Sequence, residues 1–217
     1  MSVIPFILNG TNRTIVENRQ DYENAGGLGG EVIFIIGFDG QQLLEPNSSN
    51  ASYDLRIGEE YRDHRDLGKT ALSNNDKIVL QPGSAVIIET AESVQFPKSR
   101  FGQIVPKVSL LQNGLSNTSS KIDPGYNGKL LITVFNLGKR KVFLKKGDKF
   151  CTLYVLDVKF GAKHYNKQSK QITGGSKRGL FSKIKDSIEN NQAYFTIILI
   201  LLTILLTIAQ IVQIFKE

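Results

Sequence analysis

An all-β domain, a sandwich or jelly roll, is the fold class this sequence predicts, and three observations lead to it. From Ser52 onward short β-type runs alternate with turn signals. Helical periodicity is almost absent up to residue 158, and Gly and Pro punctuate the runs at short intervals. The expected strands lie at 53–57, 77–80, 85–89, 101–106, 129–136, 141–144 and 149–158. Gln81-Pro82-Gly83, Pro124-Gly125, Leu137-Gly138 and Lys146-Gly147-Asp148 separate them. Pro pre-sets φ and Gly supplies φ > 0, so these are the residues that turns require.

Ahead of these strands, residues 32–37 read as a short apolar strand and 47–50 as a turn cluster. Residues 1–30 are polar and glycine-rich and read as a loose arm, ending in Gly26-Gly27-Leu28-Gly29-Gly30. That cluster has neither the Lys-Ser/Thr ending nor the following helix of a phosphate loop, so flexibility is the expectation. Residues 1–8 lack the basic start of a secretory signal, and none is expected.

After the strands, residues 159–191 form a basic, polar linker. Within it Leu180, Phe181, Ile184 and Ile188 sit at helical spacing, as in a short interfacial helix. Residues 194–215 carry no charge. As a helix they would measure roughly 33 Å, enough to cross a hydrocarbon core of about 30 Å. Their Thr hydroxyls can bond to carbonyls one turn back, so they do not oppose that reading. Lys177, Arg178, Lys183 and Lys185 precede the stretch, against Asp186 and Glu189, while Lys216 and Glu217 cancel after it. The excess of cations marks the cytoplasmic side, so the N-terminal domain is expected in the cytoplasm. The expected organisation is an arm with a first strand (1–45), a β domain (46–158), a basic linker (159–193) and a single membrane helix (194–215).

Lys and Arg number 27 against 20 Asp and Glu, for a net charge of +7. Nucleic acid, anionic lipid and nucleotide phosphates could each account for that surplus; its position beside the apolar tail favours lipid. Nucleic acid ranks last, because no strand interleaves aromatic with basic residues. Cys151 is the only cysteine, which excludes an intramolecular disulfide and fits a reducing compartment. The histidines are His64 and His164 alone, and no Cys/His cluster offers a zinc site.

Three clusters carry polar residues in patterns suited to chemistry: 50–58, 106–115 and 122–128. In isolation Asp123 opens a turn with Pro124-Gly125, as Asp commonly does. A carboxylate there could also position water for attack on a phosphate. Taken in order, "ASYDLRIG", "LQPGSAVIIETAESVQFP" and "GLS…IDPGYNGKLLITVFNLGK" make residues 50–158 resemble the superfamily of dCTP deaminases and dUTPases.

The resemblance implies a distorted jelly roll that assembles as a homotrimer with nucleotide sites between subunits. It gives Asp123 the role of orienting the attacking water and holding a 3′-hydroxyl. Tyr126 would stack on the sugar and exclude ribose. Lys107 and Ser109 would meet the phosphates, with Val108 in place of a hydroxyl donor. Asp54 would lie near the metal–phosphate region or in a buried hydrogen-bond network. Mg²⁺ would accompany the phosphates.

Departures from the family pattern matter as much. Thr133 stands where the deaminases carry the Glu that serves as acid/base, and Gln112 where they carry an Arg. A hydroxyl cannot shuttle protons at neutral pH as a carboxylate does, which argues against deamination of dCTP. Glu89 and Glu92 are the carboxylates that could substitute, although alignment does not place them there. Thr152 replaces a Gln of the fourth motif. The glycine-rich closing arm of dUTPases has no clear match, since Thr173-Gly174-Gly175-Ser176 is a poor one; Tyr165 and Gln168 faintly resemble the deaminase tail. Two functions follow: hydrolysis of a dUTP-type nucleotide to monophosphate and pyrophosphate, or nucleotide sensing without turnover that reorganises the membrane helices. A membrane scaffold without ligand is a third.

Overall fold

The computed structural model describes residues 2–44, 49–64, 68–159, 163–172 and 192–214, with side chains in the last stretch described for 196–211. Of the expected 159–193 linker, residues 160–162 and 173–191, which include its expected short helix and the 173–176 glycine segment, lie outside these residues.

Met1–Gly175 form one compact unit, with twelve strands among the described residues. These are β1 (Ile15–Val16), β2 (Ile33–Ile36), β3 (Tyr53–Asp63), β4 (Thr70–Ala71), β5 (Lys77–Leu80), β6 (Ala85–Gln95), β7 (Arg100–Pro106), β8 (Leu115–Asn117), β9 (Ser120–Ile122), β10 (Asn127–Asn136), β11 (Val142–Lys145) and β12 (Lys149–Asp157). The unit's helices are short: α1 (Arg19–Asn24), α2 (Gln41–Leu44) and α3 (Val108–Gln112). The expected all-β class is borne out.

Alternation of apolar and polar residues sets the strand faces. In β3, Tyr53, Leu55 and Ile57 are buried, while Asp54 and Arg56 point the other way. The first half of β3 pairs with β12 and the second half with β6. One strand therefore belongs to two sheets, one continued by β12, β7 and β9 and the other by β6, β2 and β10, and its crossing point is Gly58. A Cβ there would lie 2.7 Å from the carbonyl oxygens of Glu89 and Thr90, so only glycine lets the backbones approach this closely. β10 pairs with β6 and β8, and β7 lies between β12 and β9. Between these layers Leu55, Ile57, Ile88, Ile104 and Leu153 are fully buried. Each such side chain contributes roughly 1.5–3 kcal/mol relative to exposure.

The N-terminal residues are not a loose arm. Phe6, Ile15 and Tyr22 are at most 2% exposed, and Phe38 stacks on Tyr53 at 4.6 Å between ring centroids. α1 begins where the Asn18 side chain accepts from the Asp21 N–H at 2.8 Å, an N-cap that satisfies an otherwise unbonded donor. The glycine cluster is fastened too: Lys98 N–H donates to Leu28 O at 2.9 Å and Ser99 Oγ to Gly30 O at 2.7 Å. Gly26 and Gly27 have φ of 93° and 53°, so they supply a tight turn, not slack.

α4 (Gln192–Ile214) belongs to the second unit, Ser176–Glu217. Thr203 and Thr207 donate to Leu199 O and Thr203 O at 2.8 Å, one turn back as expected. Its backbone helix has 23 residues. Among the fully described residues, no helix is long and apolar enough to cross a membrane. The helix expected over 194–215 is observed at Gln192–Ile214, with side chains described for 196–211 alone.

Candidate functional site

The 50–58 cluster, the start of the 106–115 cluster and the strand that carries Thr152 meet around Asp54. β12 runs beside β3 with Thr152 opposite Asp54, and beside β7 with Cys151 opposite Pro106. Thr152 Oγ1 donates to Asp54 Oδ1 at 2.6 Å, and the Lys107 ammonium pairs with the other carboxylate oxygen. Behind them Gln42 clasps the backbone of Asp54, accepting from its N–H and donating to its carbonyl, both at 3.1 Å. Thr152 is therefore a bonded partner of Asp54.

Lys107 does not lie in a strand. It is the N-cap of α3, which Pro106 introduces by ending β7. Val108, Ser109 and Gln112 sit on that helix with exposed side chains, and Ser109 O accepts from Asn113 Nδ2 at 2.8 Å.

The third motif builds a turn. Asp123 O accepts from Tyr126 N–H at 3.1 Å, with Pro124 second and Gly125 third at φ 82°, the geometry that suits Pro-Gly. The Asp123 carboxylate is one-third exposed and pairs with Lys121 Nζ at 2.8 Å. The backbone of Asp123 thus makes the expected turn, while its carboxylate faces outward.

Tyr126 is held on all sides. Its hydroxyl donates to Lys129 O at 2.6 Å, and its carbonyl accepts from Phe96 N–H. The Tyr165 ring lies 5.4 Å from its ring, tilted by 49°. Burial, then the neighbouring Tyr165 and Glu89, push its phenol up to about 12. Tyr165 N–H also donates to Pro124 O at 2.6 Å, and Ser169 fills the space that a Cβ on Gly128 would need. The described tail, 163–172, therefore lies across this turn.

These two clusters are apart within one chain. Ile122 pairs with Gly102 at the start of β7, whereas Lys107 follows its end. At about 3.3 Å per residue, Asp123 and Lys107 are separated by roughly 20 Å. The structure brings together Asp54, Lys107 and Thr152, and separately Asp123 and Tyr126.

Thr133 lies on β10 opposite Ile87 of β6, with Glu89 diagonally across on the same face. Glu89 is paired with Lys129 Nζ at 2.7 Å. Both line a groove of about 580 Å³, along with Glu59, Lys69 and the tail residue Ile172. Glu92 is wholly buried and committed elsewhere. It accepts from Tyr53 Oη at 2.9 Å, Arg56 N–H at 3.0 Å and Arg56 Nε at 2.8 Å. Arg56 also donates to Gly37 O, and Asp39 N–H donates to Tyr53 Oη at 2.9 Å. Sequence reasoning missed this network. Its signal was present: an acid inside the apolar run of β6, and Tyr53 and Arg56 flanking Asp54.

The family description "dCTP deaminase-like" matches residues 33–158, from β2 through β12. The dCTP deaminase of Pyrococcus horikoshii is 30% identical over 148 residues, covering 66% of this chain and 91% of that protein. The deoxyuridine 5′-triphosphate nucleotidohydrolase of Clostridium tetani is 33% identical over 102 residues, 46% of this chain and 70% of that protein. Among solved structures, the 2′-deoxycytidine 5′-triphosphate deaminase of Agrobacterium tumefaciens superposes with a TM-score of 0.45 at 20% identity, covering 51% of this chain and 41% of that one. The family match spans more than half of the sequence, and the chain belongs to the dCTP deaminase-like family.

Proposed function

We propose that this protein is a membrane-anchored nucleotide-binding protein that hydrolyses a dUTP-type deoxynucleoside triphosphate to monophosphate and pyrophosphate. One observation carries the reading. The Lys107 ammonium, paired with Asp54, and the outward carboxylate of Asp123 lie at opposite ends of β7, so one chain would offer half of a site at each end. A homotrimer would bring the two halves of neighbouring copies together. Phosphates would then meet Lys107 and Ser109, water would be oriented by Asp123, and the sugar would rest near Tyr126. Gln112 would lie on the phosphate side.

No three His, Cys, Asp or Glu side chains gather as a metal cage among the described residues. Mg²⁺ would accordingly be carried by the nucleotide phosphates, as this cation commonly is. Thr133 and the engaged carboxylates of Glu89 and Glu92 speak against deamination. The proposed anchor rests on α4, whose 23 residues carry no charge, and on the cations 177–185 before it, which would put the folded domain on the cytoplasmic side.

The test is complementation. Asp123→Asn and Lys107→Met are each expected to lose turnover of dUTP. Trimers reassembled from a mixture of the two should regain it, because some interfaces then combine two intact halves. Loss in each variant without recovery on mixing refutes a site shared between copies. Resistance of the full chain to alkaline carbonate extraction from membranes checks the anchor.

A second reading, a sensor without turnover, is favoured by the tail. Tyr165 covers Tyr126 and bonds to Pro124 O, and α4 follows this tail in the sequence. A nucleotide that displaced Tyr165 would favour a different arrangement of the tail, which is the differential binding a switch requires. Thermal stabilisation by a nucleotide without product release would decide for it.

A further inference from the structure

We infer that the outward face of the β5–β11 ribbon is a docking surface for anionic lipid headgroups. β5 and β11 form a separate two-stranded antiparallel sheet. Its inner residues Ile78, Leu80 and Leu144 are buried at 0%, 0% and 3% exposure. By strand alternation the outer face presents Lys77 and Val79 from β5, and Phe143 and Lys145 from β11, with Lys141 two residues before Phe143 on the same side.

Two features of this face serve no evident purpose in the fold. Lys77 stands directly opposite Lys145 in the ladder, and like charges in that position repel. Phe143 is opposite Val79, and they remain 55% and 40% exposed. The Lys77 ammonium lies 5.8 Å from the centre of the Phe143 ring. None of Lys77, Lys141 and Lys145 forms an ion pair among the described residues, while Asp76 and Asp148, the nearby acids, each accept a backbone N–H. The result is an aromatic–aliphatic centre ringed by cations.

A bilayer with anionic headgroups matches both parts. The cations meet the negative surface potential, and Phe143 and Val79 enter the boundary between headgroup and acyl chain. A single ring on the face makes a poor platform for nucleic acid, which stacks successive bases on several aromatics. The choice of lipid also rests on the membrane-anchored reading of α4, which would keep the domain close to such a surface.

The experiment is flotation of the 1–175 unit with phosphatidylcholine vesicles, with and without phosphatidylserine. This unit contains the entire described β core, and relatives in which the corresponding residues make up about nine-tenths of the protein exist as such. Binding to the anionic vesicles alone is expected. Lys141→Ala and Lys145→Ala should each lower it about fivefold, and raised salt should abolish it. Phe143→Ser should lower it at every salt concentration at which binding is measurable. Equal binding to neutral vesicles, no response to these exposed-site variants, or RNA displacing the vesicles would overturn the inference. Carbonate extraction of the full chain is read separately. Release there with vesicle binding intact removes the anchor and leaves this face, and the reverse removes the face alone.

Discussion

Removing the Glu92 carboxylate should destabilise the β domain more than any exposed change. Glu92 is wholly buried and receives three hydrogen bonds, two of them from Arg56, whose side chain is 26% exposed. Breaking a buried ion pair from one side typically costs about 3–5 kcal/mol, because the partner is left charged and unpaired. Arg56 keeps the Gly37 carbonyl, the Asp39 carboxylate at 3.9 Å and some access to solvent, so the lower end of that range applies to Glu92→Ala, about 3 kcal/mol. Glu92→Gln retains one acceptor and should cost about 2 kcal/mol. With a urea slope of about 2 kcal/mol/M, the alanine variant should unfold roughly 1.5 M earlier. The double variant Glu92→Leu/Arg56→Leu should cost clearly less than the two single changes added together, since neither charge is then stranded. Urea denaturation of the four proteins measures this cycle. A Glu92→Ala effect under about 1 kcal/mol, or strict additivity, would refute the account of the network.

Other outcomes follow from geometry already described. Gly58→Ala should destabilise by about 3 kcal/mol, because its Cβ would strike two backbone carbonyls that cannot move independently; thermal unfolding reads this out. Tyr165→Ala should lower the Tyr126 phenol from about 12 towards 10.0, seen by ultraviolet titration with Tyr126→Phe as the reference. Burial, then the charges of Glu92 and Asp54, raise the Cys151 thiol above its ordinary 9.0. The folded state keeps that proton when the unfolded chain gives it up, so this contribution is complete below pH 9 and shrinks as pH rises beyond it. Urea midpoints should therefore fall from about pH 9 to 10, and less steeply in Cys151→Ala.

Much of the strand pattern was legible because half-buried strands alternate: 77–80 was located to the residue, and the 101–106 and 129–136 runs to within two. β3 and β6 were each read as five residues and are eleven long. Glu59 and Glu60 make the far half of β3 look solvent-facing, and Thr90 and Glu92 interrupt the apolar signal of β6. Both polar side chains are satisfied inside, Thr90 by donating to Glu92 O and accepting from Leu130 N–H, Glu92 by Tyr53 and Arg56. Local pattern cannot foresee such long-range partners. The N-terminal residues were misread for the same reason, since Phe6 and Tyr22 are scattered among polar residues and find their core only in three dimensions. Motif order singled out Asp54, Lys107 and Asp123 as candidates, but pairing register was needed to show that they form two groups.

The dual membership of β3 bears on what a partly unfolded molecule can do. A sandwich whose sheets share no strand can lose one face and keep the other. Here the residues that begin β3 are hydrogen-bonded to β12 and those that end it to β6, so melting either sheet strips partners from the segment that carries Asp54. Amide hydrogens in both sheets should then exchange through one common opening event. A chain caught halfway to degradation would have no half-working site, and the domain would be either competent or absent.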